Sequence, residues 1–184
     1  LKSLLNSDEI DEVYVYCSKE EIKEYLLDGV KYLKRDPKYD TASADVNEMF
    51  YSFSKEVDAD IYVLAHATAP FQKTKSIDNG IKAVKSGNYD SAVAVKKMQD
   101  FFWKDGKPAN YNPIDIPRTQ DLDPIYVETT GLYIFTKEVI MTLRRRIGNN
   151  PYLLEMTEVE ATDINDPIDF EIANAIYMSK NIEI

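Results

Sequence analysis

The spacing of apolar and polar positions switches between two periods along the chain. Glu12 to Cys17 (EVYVYC) is β-branched and aromatic and predicts a strand. Ser18 is a good N-cap for a helix over Lys19 to Leu27, with Glu21 three residues later as in a capping box and Gly29 closing it. Val30 to Leu33 predicts a second, short strand. Ser43 or Asp45 caps a helix running to about Val57, whose Val46, Met49, Phe50 and Phe53 share one face. Asp60 to Ala65 (DIYVLA) is the strongest buried-strand signal, and it runs straight into a loop, HATAPFQKT. Thr74 or Ser76 starts a helix with Ile77, Ile81 and Val84 inward and Gly87 at its end, and Ser91 to Val95 (SAVAV) is strand again.

The middle of the chain breaks this rhythm. Met98 to Asp123 is rich in Pro, Asn and aromatic residues, with Lys104-Asp105-Gly106-Lys107 as a hairpin turn, and it reads as an excursion from the main sheet. Strand material returns over Ile125 to Phe135, broken around Thr129 to Gly131. Lys137 to Arg146 predicts a helix and Tyr152 to Met156 a strand. Asp166 to Met178 predicts a last helix, with Pro167 in its first turn and Ile168, Ile172, Ala175 and Ile176 on one face. Strands separated by helices of this length predict a single α/β domain over 1–184 with a mostly parallel sheet. There are no internal repeats and no linker. The opening residues, Leu1 to Ile10, read as the end of an amphipathic helix and a polar turn, where an α/β domain usually begins with a strand.

Composition narrows the function. With 184 residues, 44% of them hydrophobic, the chain can bury a sizeable core. A net charge of -10 repels nucleic acid, so no nucleic-acid partner is expected, and an anionic ligand needs locally gathered cations. The one cysteine, Cys17, permits no internal disulfide, and a reducing, cytoplasmic location is the simplest reading. One His and one Cys exclude a His/Cys zinc cluster. No apolar run approaches the ~18 residues that span a bilayer, and no signal peptide is legible, so no membrane partner is expected.

Ligands of open α/β sheets bind beyond the carboxyl ends of the strands. The segments there supply Ser18, then Lys34 and Arg35, then His66-Ala67-Thr68-Ala69-Pro70, and, before the last helix, Thr162-Asp163-Ile164-Asn165-Asp166. Cations and hydroxyls suit phosphate, and carboxylates suit Mg²⁺, so a nucleotide with a divalent metal fits the mixture. Each residue also has a plain structural reading. His66 serves equally as a structural histidine and Arg35 as a solvated charge. Asp163 could cap a turn, with Asp166 the better cap of the last helix. Arg144-Arg145-Arg146 reads as a solvated helix end that offsets the dipole. Phe101, Phe102 and Trp103 read as core or dimer contact rather than a ligand stack. Neither the dinucleotide glycine fingerprint nor a P-loop occurs, and no Ser-His-Asp or Cys-His set is supported, since the sole His would have to serve it.

Taken in order, four stretches resemble the N-acylneuraminate cytidylyltransferases. Asp60 to Gln72 (DIYVLAHATAPFQ) resembles that family's LLQPTSPLR segment, and Arg118 to Tyr133 (RTQDLDPIYVETTGLY) its RRQDLPP…NGAFY stretch. Ile147 to Asp169 resembles its closing IG…PY…E…DIDTPED, and Lys34 to Val46 its RP…D-T-A-S segment. The resemblance implies a Rossmann-like nucleotidyltransferase fold and transfer of CMP from CTP to an acidic 2-keto-3-deoxy sugar of the sialic, legionaminic or pseudaminic acid type. Pyrophosphate leaves and Mg²⁺ is required. It implies nucleotide contacts at Arg35, Ser43, His66 and Thr68, and sugar contacts at Arg118, Gln120, Glu128 and Thr130, the last where Asn is usual. Metal would be held at Asp163 and Asn165, with Asp163 and Arg118 catalytic. It also implies a homodimer, with residues 98–123 as a dimerisation and substrate lobe.

The departures are specific. His66 stands where Gln is usual, Gln72 where Arg is usual, Ala67 and Ala69 where Pro and Ser are usual, and Asn165 where a second aspartate is usual. Nothing matches the Gly- and Lys/Arg-rich triphosphate loop with which such domains open. The expectation is therefore a domain incomplete at its N-terminus, with an interrupted sheet and little activity on its own. A degenerate, non-catalytic homologue acting as a binding or assembly module is the alternative.

Overall fold

The computed structural model describes residues 1–179, so residues 180–184 of the 1–184 unit lie outside the described residues. Its centre is a four-stranded sheet in the order β3-β7-β4-β8, formed by β3 (Ile61–Ala65), β4 (Ser91–Met98), β7 (Ile125–Thr136) and β8 (Pro151–Glu155). β7 runs antiparallel to β3 and β4, and β4 is parallel to β8, so three of the four strands share a direction. β1 (Val13–Cys17) and β2 (Val30–Lys34) form a separate parallel pair. The sheet is thus mostly parallel in strand direction but divided into two pieces. Helix α2 (Val46–Glu56) spans the division: the Phe53 ring lies 5.7 and 5.4 Å from Tyr14 and Tyr16 of β1 and 6.3 Å from Tyr62 of β3, centroid to centroid.

Both faces of the central sheet are covered, which is why its strands read as continuous apolar runs rather than alternating ones. Successive β7 residues point to opposite sides. Leu132 and Ile134 join Ile77, Ile81 and Val84 of α3 (Thr74–Lys85) on one face. Tyr133 and Phe135 join Tyr62, Val93, Val139 and Ile140 on the other, beneath Phe50 and Phe53. Asp45, not Ser43, caps α2: its carboxylate accepts from the Asn47 and Glu48 amides at 2.8 and 3.4 Å. Asp166 caps α4 (Pro167–Met178) through a reciprocal box with Asp169. A short helix α1 (Lys2–Leu5) precedes β1, as its pattern predicts.

Three local expectations are corrected. Over Lys19–Leu27 there is only a 3₁₀ segment, Glu20–Tyr25, that buries no residue. Without an apolar face to pack, a short helix has nothing to offset its nucleation cost. Ser18 donates its hydroxyl to Asp40 at 2.6 Å instead of capping a helix. The helix expected over Lys137–Arg146 is cut to a turn whose π-type part is Val139–Leu143, stopped by Arg144 at φ 54°. The break expected at Thr129–Gly131 is a bulge inside one continuous strand. Val93 pairs with Tyr133 and Val95 with Glu128, so residues 129–132 oppose Ala94 alone.

The excursion contains the expected hairpin. β5 (Trp103–Lys104) and β6 (Lys107–Pro108) are joined through Asp105 and Gly106 at φ 52° and 73°, the double left-handed turn for which Asp-Gly is suited. Its Phe101 and Trp103 side chains are exposed, so they are not core. On α4, Ile168 and Ile172 also stand exposed, and only Ala173 is buried. Among the described residues no helix is long and apolar enough to cross a membrane.

Candidate active site

The carboxyl end of β3 delivers the loop that begins at His66. The His66 amide donates to the Gly131 carbonyl at 3.0 Å, and the Ala69 amide donates back to His66 at 3.2 Å. This pins the loop against the β7 bulge. The bulge turns Thr130 into the left-handed region at φ 58° and aims its hydroxyl at Asp163 Oδ2, 3.2 Å away. Asn165 Nδ2 donates to the same oxygen at 3.0 Å. The Ile164 amide donates to the Thr68 carbonyl at 2.9 Å, which ties the Asp163 turn to the His66 loop. Three segments far apart in sequence therefore converge on one carboxylate.

Burial opposes ionisation of Asp163, but the polar side chains of Thr68, Asn165 and Thr130 and the nearby His66 prevail and hold its carboxyl below the usual range. Thr68 faces the carboxylate without completing a sound hydrogen bond, since Oδ1 is buried with no partner. An ionised carboxylate with one oxygen held and the other buried without a partner suits a Mg²⁺ ligand. That metal takes one or two carboxylates and fills its remaining positions with water and substrate phosphate. Among the described residues no group of three or more His, Cys, Asp or Glu side chains gathers for a metal.

Beside this carboxylate lies a second set. The His66 ring is 6.2 Å from that of Tyr133, which is fully buried. The Tyr133 hydroxyl donates to Glu128, and burial followed by that bond raises its pKa far above the ordinary phenol range. The Arg146 guanidinium stacks on the Tyr133 ring at 3.9 Å and approaches Glu128 at 3.7 Å. Desolvation first, and the Arg146 charge second, lower the His66 pKa, while Asp163 opposes them. His66 is thus neutral near pH 7. Arg146 thus lies beside the candidate site, a position that reading the triple arginine as a solvated helix end misses. The left-handed turn at Arg144 splays the run, sending Arg144 onto the Tyr51 ring at 3.4 Å and Arg146 onto Tyr133. Only the run itself was visible in the sequence.

The remaining candidates stand outside this cluster. Arg35 pairs with Asp40 at 2.7 Å and donates to Met49 Sδ at 3.3 Å, leaving its Nε buried and unpartnered. It lies across α2 from Arg146, whose amide donates to Asn47 on the same helix at 3.2 Å. Ser43 is exposed, with its hydroxyl 3.4 Å from that of Thr41. In the excursion, Arg118 is held by Asp121 at 2.8 and 3.0 Å, and the Gln120 carbonyl accepts from Gln99 at 3.3 Å. None of these four side chains touches the Asp163 cluster. At the other end of the sheet, a shallow groove by Tyr89 and Asn150 holds Asp90, whose carboxylate is engaged by the Asn149 and Asn150 amides at 2.6 and 3.1 Å. That carboxylate staples two loops and is not open to a ligand.

An α/β sheet with covered faces and a polar, carboxylate-bearing cluster beyond the carboxyl end of β3 is the architecture of the Rossmann-like nucleotidyltransferases. The chain belongs to the cytidylyltransferase family, whose model matches residues 1–174. N-acylneuraminate cytidylyltransferases of Streptococcus agalactiae serotypes III and V are 22% and 24% identical to it over 168 residues. Those stretches cover 86% of this chain but 41% of the relatives, so the chain spans less than half of their length. Among solved structures it is similar to a CMP:2-keto-3-deoxy-manno-octonic acid synthetase complexed with CTP, at TM-score 0.69 and 12% identity over 97% of this chain and 86% of that one. It is also similar to a 4-diphosphocytidyl-2C-methyl-D-erythritol synthase from Anaerococcus prevotii, at TM-score 0.68 and 14% identity over 96% and 83% of the two chains.

Proposed function

We propose that this domain transfers CMP from CTP to the anomeric hydroxyl of an acidic 2-keto-3-deoxy sugar of the sialic, legionaminic or pseudaminic acid type. The observation that carries the reading is Asp163, fixed by Thr130 and Asn165 and tied to the nucleotide-side loop through Thr68, with one buried oxygen left without a partner. The sugar oxygen bonds to the α-phosphorus, the bond from that phosphorus to the bridging oxygen breaks, pyrophosphate departs and the hydroxyl proton is released. Asp163, with Asn165 beside it, would hold Mg²⁺, which supplies charge neutralisation on the triphosphate. Arg35, Ser43, His66 and Thr68 are assigned to the nucleotide, and Arg118, Gln120, Glu128 and Thr130 to the sugar acid. We add Arg146 to that side, because it approaches Glu128. Catalysis is then chiefly positioning and electrostatics.

The experiment is pyrophosphate release by the product of the complete open reading frame with CTP, Mg²⁺ and a panel of acidic sugars, and with UTP as control. CTP-specific release with one of these sugars supports the reading, and release with none of them refutes it. One observation favours a non-catalytic binding module instead. Asn165 replaces a negative ligand with a donor that occupies an Asp163 lone pair. CTP binding without turnover would be its signature. The exposed Phe101, Trp103, Ile114 and Ile116 of the excursion support a homodimer contact through residues 98–123. A monomer at high concentration in analytical ultracentrifugation would refute that contact.

A further inference from the structure

Glu160 is 2% exposed, a carboxylate in the interior of an acidic chain. A buried carboxylate is tolerated only when hydrogen bonds replace its water, and here they come from two directions. One oxygen accepts from the Lys73 amide at 3.3 Å and the Ser76 hydroxyl at 2.6 Å, at the start of α3. The other accepts from the Thr157 amide at 3.3 Å and the Thr157 hydroxyl at 2.8 Å, at the start of the turn that ends in Asp163. The backbone of Glu160 makes a third tie, since its carbonyl accepts from Gln72 Nε2 at 2.9 Å. Gln72 is itself buried and packed against Gly131, where an added Cβ would stand 2.8 Å from its Nε2 and 2.7 Å from the Ala69 Cβ. So the end of the His66 loop and the Asp163 turn meet at the Glu160 side chain, which hydrogen-bonds none of the candidate ligand-binding residues, and the β7 bulge next to Thr130 is reached through Gln72 and the Glu160 carbonyl.

We propose that Glu160 is the positioning residue of this site: it clasps the turn 157–164 to the loop 66–73 and so sets Asp163 against Thr68 and Thr130. Three of its four side-chain bonds use donors on the two segments that must stay in register, the Lys73 amide and both Thr157 groups. The Ser76 hydroxyl lies one helical turn further into α3. A neutral amide in its place presents an N–H to some of these donors and breaks the clasp without changing its volume. The proposal rests on the reading of Asp163 as the metal-holding residue.

The test compares Glu160→Gln with Ile81→Val, a buried α3 substitution outside the clasp, at temperatures equally far below each variant's Tm. Hydrogen exchange of amides 66–73 and 157–165 and calorimetric titration of CTP with and without Mg²⁺ are measured on both. The expected result is faster exchange confined to those segments in Glu160→Gln, with the Mg²⁺-dependent gain in CTP affinity reduced about 10- to 100-fold, as for outer partners of metal ligands, and a smaller loss of metal-free affinity through the loosened His66 loop. Ile81→Val should alter neither. If Glu160→Gln does not fold, Ser76→Ala and Thr157→Val each remove one donor and should show the same pattern at smaller size. Exchange and metal dependence equal to those of Ile81→Val would overturn the proposal. If the unsubstituted protein binds no CTP at all, the proposed function fails, and the exchange comparison alone still decides the clasp.

Discussion

Thr130 carries a cost that the structure makes measurable. A β-branched residue at φ 58° lies in the left-handed region, where an L-residue other than Gly, Asn or Asp is disfavoured by about 1–2 kcal/mol. Its return is one hydroxyl bond at 3.2 Å to the Asp163 carboxylate, worth about 1 kcal/mol at this partly exposed position. Thr130→Asn removes most of the strain and keeps a donor in reach of Asp163, so it should stabilise by about 1 kcal/mol and raise Tm by about 2–4 °C for a chain of this size. Thr130→Gly removes the strain but loses the bond and adds unfolded-state freedom of about 0.5–1 kcal/mol, leaving it close to wild type. Thr130→Ala keeps the strain and loses the bond, and should cost about 1 kcal/mol. Calorimetric and urea unfolding should therefore rank Asn above wild type, wild type near Gly, and Ala last. Asn at or below wild type, or Ala above it, would refute the claim that the bulge is strained at this residue.

The single histidine makes site electrostatics accessible. Because the folded state lowers the His66 pKa below its unfolded value of about 6.5, the stability it contributes is complete above that pH and is lost as pH falls through the folded value. His66→Gln should flatten the stability curve in that window, seen as a smaller drop in Tm between neutral and mildly acid buffer. By proton NMR of the one imidazole, Arg146→Gln should raise the His66 pKa and Asp163→Asn should lower it further, and opposite shifts would contradict the placement of these charges. Asp45→Ala removes the α2 cap and should cost about 0.5–2 kcal/mol in urea unfolding.

Much of this architecture was legible because burial writes a period into the sequence. Ile61–Ala65 and Ala92–Val95 are apolar throughout because both faces of their sheet are covered, and Ile77, Ile81 and Val84 repeat at helical spacing because α3 packs one face. Caps and turns were legible where one side chain does a local task, as at Asp166 and Asp105-Gly106. What could not be read depends on long-range geometry. Lys19–Leu27 has helical composition but no surface to pack on. The strand break at Thr129–Gly131 is a bulge only because β4 runs alongside. His66, Thr68, Thr130, Asp163 and Asn165 were picked out and do converge, but Arg146 enters through a left-handed turn that no local pattern announces. Gln72 and Glu160, polar in sequence, are buried because they answer each other across 88 positions.

On the proposed function, the Asp163 cluster would hold a cytidine triphosphate together with a divalent cation. The most direct measurement is a calorimetric titration of CTP into the protein with Mg²⁺, repeated with Asp163→Ala. CTP binding should tighten with Mg²⁺ and lose that dependence in Asp163→Ala while the protein stays folded. No CTP binding, or Mg²⁺ dependence unaltered by the loss of Asp163, would contradict it.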